Sequence, residues 1–215
     1  MPYIALYRKW RPRRFSDLVG QEHVSRTLAQ AITTGRLGHA YLFAGPRGTG
    51  KTSTAKILAM ALNCEHPDGA EPCGTCKSCR AIEDGSAIDV YEIDAASNRG
   101  IDEIRDLRDR AKYASAEGRY TVYIIDEVHM LTKEAFNALL KTLEEPPAHL
   151  IFILATTEAN AVPPTIQSRC QRFDFRRITV SEIEARLRYV CGQMDVPADD
   201  KALELIALQA DGGLR

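Results

Sequence analysis

The chain has 215 residues, of which 45% are hydrophobic and 27% are charged. This composition excludes an intrinsically disordered chain and is typical of a soluble globular protein. The 28 basic and 29 acidic side chains leave a formal net charge of -1, which excludes a strongly basic or acidic protein but not a local basic patch that binds phosphate groups. The longest apolar runs are far below the ~18 residues of a membrane span, and the N-terminus lacks a secretory signal. We therefore predict a cytoplasmic protein with no membrane contact.

Helical patterns and short apolar strands alternate along the chain. Residues 21–34 have apolar side chains at helical spacing, and the pattern ends at Gly35. The predicted strands are 40–44, 88–93, 121–125, 150–155 and 170–175, and the helical patterns between them are 51–63, 101–114 and 133–143. The third and fourth strands are apolar almost throughout, as parallel strands covered on both faces usually are. We predict a three-layer α/β fold with a five-stranded parallel sheet.

A glycine-rich motif follows the first predicted strand and opens a helical pattern: Gly45-Pro46-Arg47-Gly48-Thr49-Gly50-Lys51-Thr52. It matches the phosphate-binding loop G-x-x-x-x-G-K-[ST] in the required context. The glycines let backbone N–H groups turn toward anionic oxygens, and the helix N-terminus adds its dipole. We expect Lys51 to reach the β- and γ-phosphates of ATP and the Thr52 hydroxyl to bind Mg²⁺. The alternative, a chance match in a glycine-rich loop, does not explain the flanking strand and helix.

Four of the six cysteines are clustered in the sequence, at Cys64, Cys73, Cys76 and Cys79. Without an export signal, reduced thiols are expected rather than disulfides. Four thiolates with Cys-x-x-Cys spacing are typical of a structural zinc site, in which no position stays open for a substrate. A redox pair is the alternative, although it needs only two cysteines. We predict a zinc module over residues 64–79.

The third predicted strand ends in two carboxylates, Asp126 and Glu127. We expect Asp126 to bind Mg²⁺ beside the phosphate loop and Glu127 to polarise the attacking water as general base. A nucleotide binder needs only the first acid, so the second favours hydrolysis over an acidic turn at a strand end. His129 completes the string Asp-Glu-Val-His of some helicases, although a lone histidine is more often structural.

After residue 177 the pattern becomes helical. Two apolar stripes follow, formed by Ile183, Leu187 and Val190 and by Leu203, Ile206 and Leu208. Asp199 or Asp200 is placed to cap the second helix. We predict a phosphate-loop ATPase domain over 1–177 and the start of a small all-α lid domain over 178–215. The end of the pattern at Arg215, within an element, indicates a fragment.

Further segments of the chain carry a family resemblance. They are Arg8-Lys-Trp-Arg-Pro, Val19-Gly-Gln-Glu, Glu92-Ile-Asp-Ala-Ala-Ser, Asp126-Glu-Val-His-Met, Phe136-Asn-Ala-Leu-Leu-Lys-Thr-Leu-Glu-Glu-Pro-Pro, Ala155-Thr-Thr-Glu and Ser168-Arg-Cys. With the phosphate loop and the four-cysteine insert, they resemble the gamma/tau family of bacterial DNA polymerase III. Members of that family are AAA+ ATPases and drive the sliding-clamp loader. The resemblance implies an AAA+ domain that uses ATP to load the clamp on primed DNA during replication. No polymerase carboxylate site is evident, so any polymerase activity belongs to the holoenzyme.

The resemblance also assigns roles to residues outside the phosphate loop. Thr157 matches the sensor-1 position near the γ-phosphate, although alone it is an ordinary strand-end threonine. Arg169 matches the arginine finger that enters a neighbouring subunit's nucleotide site, and a surface salt bridge is its alternative. Arg215 matches the sensor-2 arginine of the lid. Arg11 and Val19 fall where the family lines the adenine pocket.

The resemblance implies several partners: other clamp-loader subunits, copies of this chain, the sliding clamp and primer–template DNA. The basic run of Arg8, Lys9, Arg11, Arg13 and Arg14 is interpreted as adenine-side structure, with solvated charge or DNA binding as alternatives. A stronger DNA candidate is residues 98–101 (Asn98, Arg99, Gly100 and Ile101), which lead into a helix with Arg105. Such contacts would hold the DNA backbone without reading its sequence.

Two other function classes compete with the clamp-loader motor. A helicase-type ATPase is suggested by Asp-Glu-x-His, but it needs a second motor domain for which 215 residues leave no room. A non-catalytic scaffold subunit of the same loader is the other alternative. Scaffold subunits have damaged phosphate loops, whereas Lys51, Thr52, Asp126 and Glu127 are intact here.

Overall fold

The computed structural model describes residues 5–97, 100–110 and 115–215. Its strands are β1 (Ala40–Ala44), β2 (Val90–Asp94), β3 (Thr121–Asp126), β4 (Leu150–Thr156) and β5 (Gln171–Asp174). They form one parallel sheet in the order β2-β3-β4-β1-β5. The predicted five-stranded parallel sheet is confirmed.

Nine α-helices occur in the described residues. They are α1 (Leu6–Lys9), α2 (Glu22–Thr33), α3 (Lys51–Asn63), α4 (Lys77–Asp84), α5 (Ile101–Arg110), α6 (Lys133–Glu144), α7 (Pro164–Gln167), α8 (Val180–Gln193) and α9 (Asp200–Gln209). Side-chain caps explain where several of them begin. The Thr132 hydroxyl accepts the Ala135 N–H at the start of α6, and Thr179 and Glu182 form a capping box at the start of α8.

Apolar residues of the sheet alternate between two cores, one on each face. In β1, Tyr41 and Phe43 pack in the core that contains α3 and the cysteine cluster. Leu42, between them, packs in the other core, which contains side chains of α5 and α6. Because successive side chains of a strand point to opposite faces, the sheet is the middle layer of three. The predicted three-layer α/β fold is confirmed.

The strand order brings the predicted site residues to one edge of the sheet. β4 lies between β1 and β3, and all three run in the same direction. The phosphate loop follows β1, Asp126 ends β3, and Thr157 follows β4. In an open parallel sheet, ligands bind outside the carboxyl ends of the strands. The loop, the carboxylates and Thr157 therefore share that edge.

The observed elements differ from the predicted ones most clearly at β2 and α4, and most other bounds agree within one residue. β2 begins at Val90 rather than at residue 88, because Ile88 is 57% exposed and Asp89 is buried as a hydrogen-bond acceptor for the turn at 116–118. Helix α4 was not predicted from the sequence, and its N-cap is Cys76. Residues 111–114 of the predicted helix 101–114 lie outside the described residues.

The chain after residue 177 contains α8 and α9, and Asp199 caps α9 as predicted. The predicted apolar stripe on α9 is wrong in part: Leu203 is buried, but Ile206 and Leu208 are each more than half exposed. The other buried residue of α9 is Ala207, one helical turn after Leu203. The division at residue 177 and the small all-α domain stay predictions. No helix among the described residues is long and apolar enough to cross a membrane.

Candidate nucleotide site and cysteine cluster

The phosphate loop requires glycine where its backbone turns. Gly45 has a φ of +152°, and a Cβ there would lie 2.4 Å from the Phe175 carbonyl oxygen. Gly48 has a φ of +76°, and a Cβ there would lie 2.9 Å from the Cα of Gly213. These positions exclude other residues both by conformation and by space. The loop is thus shaped by close backbone contacts on two sides.

Lys51 begins α3 and is 7% exposed. Its ammonium group donates hydrogen bonds to the carbonyl oxygens of Gly45 and Pro46, each at 2.7 Å. Burial lowers the pKa of Lys51, and the carboxylates of Glu127 and Asp126 act in the opposite direction. The positive charge therefore lies inside the loop, where an anionic ligand can meet it.

Thr52 and Asp126 meet across the site. The Thr52 hydroxyl donates to Oδ2 of Asp126 at 2.8 Å, and Oδ1 of Asp126 accepts the Glu127 N–H at 3.0 Å. A hydroxyl beside a carboxylate supplies the oxygen ligands that Mg²⁺ prefers. These residues fit a magnesium ion next to the phosphate loop.

Glu127 is held by neighbours from two strand ends and the phosphate loop. Its backbone has a φ of +48°, which is rare for a residue other than glycine and is frequent at functional sites. The Thr157 hydroxyl donates to Oε2 of Glu127 at 3.1 Å, and Nε of Arg47 lies 3.6 Å from Oε1. His129 is largely buried, and its Nδ1 lies 3.0 Å from the Thr156 hydroxyl. The predicted base and the predicted sensor-1 threonine are therefore in direct contact.

The two residues predicted for the adenine pocket contact different elements of the fold. Nε of Arg11 donates to the Ser53 hydroxyl in the first turn of α3 at 3.1 Å. Val19 is half-buried and packs against the small apolar cluster around Ile183 of α8 and Ala207 of α9. Contact of these two residues with adenine stays a prediction.

The last residues of the chain return to the phosphate loop. The N–H of Leu214 donates to the Gly48 carbonyl at 2.9 Å, and Arg177 holds the preceding turn through a hydrogen bond to the Asp211 carbonyl. Arg215 is the next residue and is exposed. Its position beside the loop is compatible with the predicted sensor-2 role, which stays a prediction.

The four clustered cysteines are brought together by two elements. Cys64 follows α3, Cys76 caps α4, and the ligand atoms of all four lie within 4.8 Å of one another. Their thiols are free. N–H groups of Thr75 and Cys76 lower the pKa of Cys73 to about 6, whereas burial raises the pKa of Cys64 and Cys79. Four free thiols at this separation fit a tetrahedral zinc ion.

Comparison with known proteins identifies the family of the chain. A family model described as "DNA polymerase III, delta subunit" matches residues 20–179. The chain belongs to this DNA polymerase III family. Bacillus subtilis DNA polymerase III subunit tau is 59% identical over all 215 residues, the Escherichia coli K12 subunit tau is 51% identical over the same length, and the Mycobacterium tuberculosis H37Rv subunit gamma/tau is 52% identical over 98% of the chain. The predicted resemblance to the gamma/tau family is confirmed.

The match covers only part of those relatives. The chain spans 38%, 33% and 36% of their respective lengths. Among solved structures, the Thermotoga maritima RuvB Holliday junction branch migration motor superposes with a TM-score of 0.66 at 23% identity, over 95% of this chain and 61% of that chain. A single-substitution variant of the same motor gives a TM-score of 0.67 with the same identity and coverage. The likeness shows that this chain shares the fold of that motor.

Arg169 is held at the end of α6 by Glu144. Its guanidinium donates to Oε1 of Glu144 at 2.8 Å and to the Thr165 carbonyl at 2.7 Å, and a third of the side chain is exposed. The finger role in a neighbouring site stays a prediction. Sequence reasoning did not find Glu144 as a partner, because the two residues are 25 positions apart and only the packing of α7 beside α6 joins them.

The structure describes only part of the predicted DNA-contact segment. Asn98 and Arg99 are outside the described residues, while Gly100 precedes α5 and Arg105 is exposed on that helix. The DNA role of residues 98–101 and Arg105 therefore stays a prediction. Sequence reasoning also missed Ser53, the partner of Arg11, since a serine in the first turn of a helix has no distinguishing sequence signal.

Proposed function

We propose that this chain is the ATP-binding and ATP-hydrolysing motor of a bacterial sliding-clamp loader within the DNA polymerase III holoenzyme. It would load the clamp on primed DNA during replication, in the cytoplasm. The observation that carries the proposal is the 2.8 Å contact between Thr52 and Asp126 beside the phosphate loop, with Glu127 next in the chain. The match of all 215 residues to part of the tau subunits supports the cellular role.

ATP binding depends on the loop backbone and on Lys51. The ammonium group of Lys51 now donates to two loop carbonyls. Phosphate oxygens carry full charge and are stronger acceptors than carbonyls. We therefore expect Lys51 to exchange its carbonyl partners for the β- and γ-phosphates. The N-terminus of α3 adds its dipole to the same attraction.

Thr52 and Asp126 would hold Mg²⁺. When bound, the ion neutralises charge that develops on the phosphate oxygens. The hydrogen bond from the Glu127 N–H to Asp126 fixes that carboxylate at the end of β3. Loss of the Asp126 carboxylate would therefore remove both the metal ligand and the acceptor that orders the start of the following turn.

Glu127 would act as general base. Its carboxylate accepts the proton of the attacking water as the new oxygen–phosphorus bond forms and the bond to the β-phosphate oxygen breaks. The side chain is 21% exposed, and the Thr157 hydroxyl fixes the orientation of Oε2. Thr157 is thereby a positioning residue for the base in addition to its sensor role.

The remaining roles concern structure and assembly. The four-cysteine cluster would hold one structural zinc ion, since four thiolates complete its coordination. Arg169 would complete the site of a neighbouring subunit, which requires copies of this chain or other loader subunits. The clamp and the backbone of primer–template DNA are the further partners. Arg215 would contact the γ-phosphate side of ATP. Arg11 and Val19 would contact its adenine side.

A scaffold role is the second candidate, because the matching family model is described by the delta subunit. The intact Lys51, Thr52 and Asp126 favour the motor instead. The test is ATP hydrolysis by the chain assembled with loader subunits, clamp and primed DNA. Clamp- and DNA-stimulated hydrolysis that Lys51→Ala abolishes supports the motor. An assembly that loads clamps equally well with Lys51→Ala supports the scaffold, and duplex unwinding without a clamp supports a helicase-type ATPase.

A further inference from the structure

A carboxylate of the cysteine insert (residues 64–84) binds the N-terminal segment (residues 11–18). The two oxygens of Glu71 accept hydrogen bonds from the backbone N–H groups of Phe15 at 2.8 Å and Ser16 at 2.9 Å. Hydrogen bonds from N–H groups to a carboxylate are shorter and stronger than those between neutral groups. Glu71 thus ties together two parts of the chain that are more than 50 residues apart.

The position of Glu71 is fixed by the insert itself. The backbone N–H and carbonyl of Glu71 both pair with Asp68, at 2.9 and 3.0 Å, around a tight turn in which Gly69 has a φ of +61°. Two residues later, the N–H of Cys73 donates to Sγ of Cys64. The turn and the cysteine cluster therefore fix the backbone that carries the Glu71 carboxylate.

The N-terminal segment in turn contacts the nucleotide site. Phe15 is 3% exposed and packs in the same apolar core as Cys79. Leu18 is buried, and one of its methyl groups would lie 3.8 Å from a Cβ at Gly50 of the phosphate loop. Arg11 bonds Ser53 in the first turn of α3. A shift of residues 11–18 would therefore change contacts with both the phosphate loop and α3.

A second ion pair also joins the insert to this segment. Arg13 lies 2.5 Å from Glu83 of α4, but the two side chains are 60% and 37% exposed. Exposed ion pairs contribute little, because water screens them and ordering long side chains costs entropy. Glu71 is half-buried and binds backbone N–H groups, so its contacts constrain the segment more strongly.

We propose that Glu71 is a positioning residue for the nucleotide site, through which the cysteine insert sets the affinity of the chain for ATP. The inference rests on the proposed function, since it needs ATP bound at the phosphate loop. Glu71 does not touch the nucleotide in this proposal. It acts by holding residues 15–18 so that Leu18 packs on the loop and Arg11 reaches α3.

The test compares Glu71→Ala and Glu71→Gln with a matched control, Glu65→Ala, in the full chain. Glu65 also lies in the insert and accepts a backbone N–H, that of Ser78 at 3.1 Å, but this contact stays within the insert. The measurements are the Kd for ATP by calorimetry, zinc per chain by elemental analysis, and hydrogen exchange of the Phe15 and Ser16 amides.

We expect Glu71→Ala to weaken ATP binding about tenfold or more and to speed exchange at both amides, with zinc content unchanged. Glu71→Gln keeps one acceptor oxygen and should fall between the parent and Glu71→Ala. Glu65→Ala should bind ATP like the parent. In an assembled loader, Glu71→Gln should raise KM for ATP with kcat nearly unchanged, which a general loss of folded protein would not produce.

Three results would overturn the inference. If the parent chain does not bind ATP, both the proposed function and this inference are wrong. A parent that binds ATP, with both Glu71 variants binding equally well, removes the inference alone. If Glu65→Ala weakens ATP binding as much as Glu71→Ala does, the insert acts through its overall folding and Glu71 has no positioning role.

Discussion

Replacing Arg169 with alanine should have a small effect on the chain and a large one on an assembly. Within the chain, the guanidinium bonds Glu144 and the Thr165 carbonyl at a partly exposed site. An ion pair at such a site contributes about 0–1 kcal/mol to the free energy of unfolding. For a domain of this size, that loss lowers Tm by about 2–4 °C at most. Arg169→Ala should therefore fold and bind ATP like the parent.

The effect on hydrolysis follows from where the guanidinium acts. An arginine finger meets negative charge that develops on the transferred phosphoryl group and is worth ~10³–10⁵ in rate. At about 1.36 kcal/mol per decade, this is about 4–7 kcal/mol of transition-state stabilisation. ATP affinity should change little, because the interaction is made mainly in the transition state. The single chain should hydrolyse ATP slowly with or without Arg169, and the assembly should lose most of its rate.

The assay is ATPase rate per chain against chain concentration, with the oligomeric state followed by sedimentation. Glu144→Gln is the matched control, since it breaks the same ion pair but keeps the guanidinium available to a neighbour. It should leave the rate of the assembly close to that of the parent. A fast rate that persists on dilution, in a chain shown to be monomeric, would refute the reasoning and give Arg169 another role.

Three further predictions concern the loop, the cysteines and a buried acid. Lys51→Ala should abolish ATP binding, because it removes the charge that pairs with the phosphates. Glu127→Gln should still bind ATP but should not hydrolyse it, because the general base is lost. Equal turnover by Glu127→Gln and the parent in an assembled loader would contradict this. Cys76→Ser should lose zinc and lower Tm yet keep residual ATP binding, and elemental analysis that finds no zinc in the carefully purified parent would exclude the site. Asp89→Ala should cost about 2–4 kcal/mol in urea unfolding, because its carboxylate accepts three backbone N–H bonds; a loss below about 0.5 kcal/mol would mean that water replaces them.

The Asp89 contribution should also depend on pH. Burial alone would raise the pKa of Asp89, but hydrogen bonds from the N–H groups of Gly118, Ala116 and Glu117 outweigh it and lower the pKa below its usual value. A carboxyl group with a lowered folded-state pKa stabilises the fold above its unfolded pKa of about 3.9 and loses that effect as the pH falls through the folded value. The stability difference between parent and Asp89→Ala should therefore shrink only below about pH 4.

Much of the sheet and the phosphate loop could be predicted because their signals are local. The central strands are continuous apolar runs, and observed β1 has the predicted limits. The glycines of the loop are required by backbone geometry, so the motif is visible in the sequence itself. The edge strand β2 was placed two residues early, because the apolar pattern included Ile88, which the fold leaves exposed.

Contacts between distant segments could not be predicted in the same way. Nothing near Glu71 in the sequence indicates that its carboxylate binds the N–H groups of Phe15 and Ser16, since that contact exists only once the insert has packed beside the N-terminal segment. The same holds for Leu214 and the Gly48 carbonyl. A motif fixes the residue types of a site, whereas tertiary packing decides which remote groups hold it.

The phosphate loop is contacted by segments from both ends of the chain, and this has a consequence for ATP binding. Leu18 is buried, and one of its methyl groups would lie 3.8 Å from a Cβ at Gly50, while the Leu214 N–H donates to the Gly48 carbonyl. The backbone of the loop has a positive φ at both glycines. Because a flexible loop must lose conformational entropy when it orders around phosphates, contacts that order it beforehand raise affinity without touching the ligand. ATP affinity should therefore respond to substitutions at Leu18 and Leu214 as well as to those in the motif.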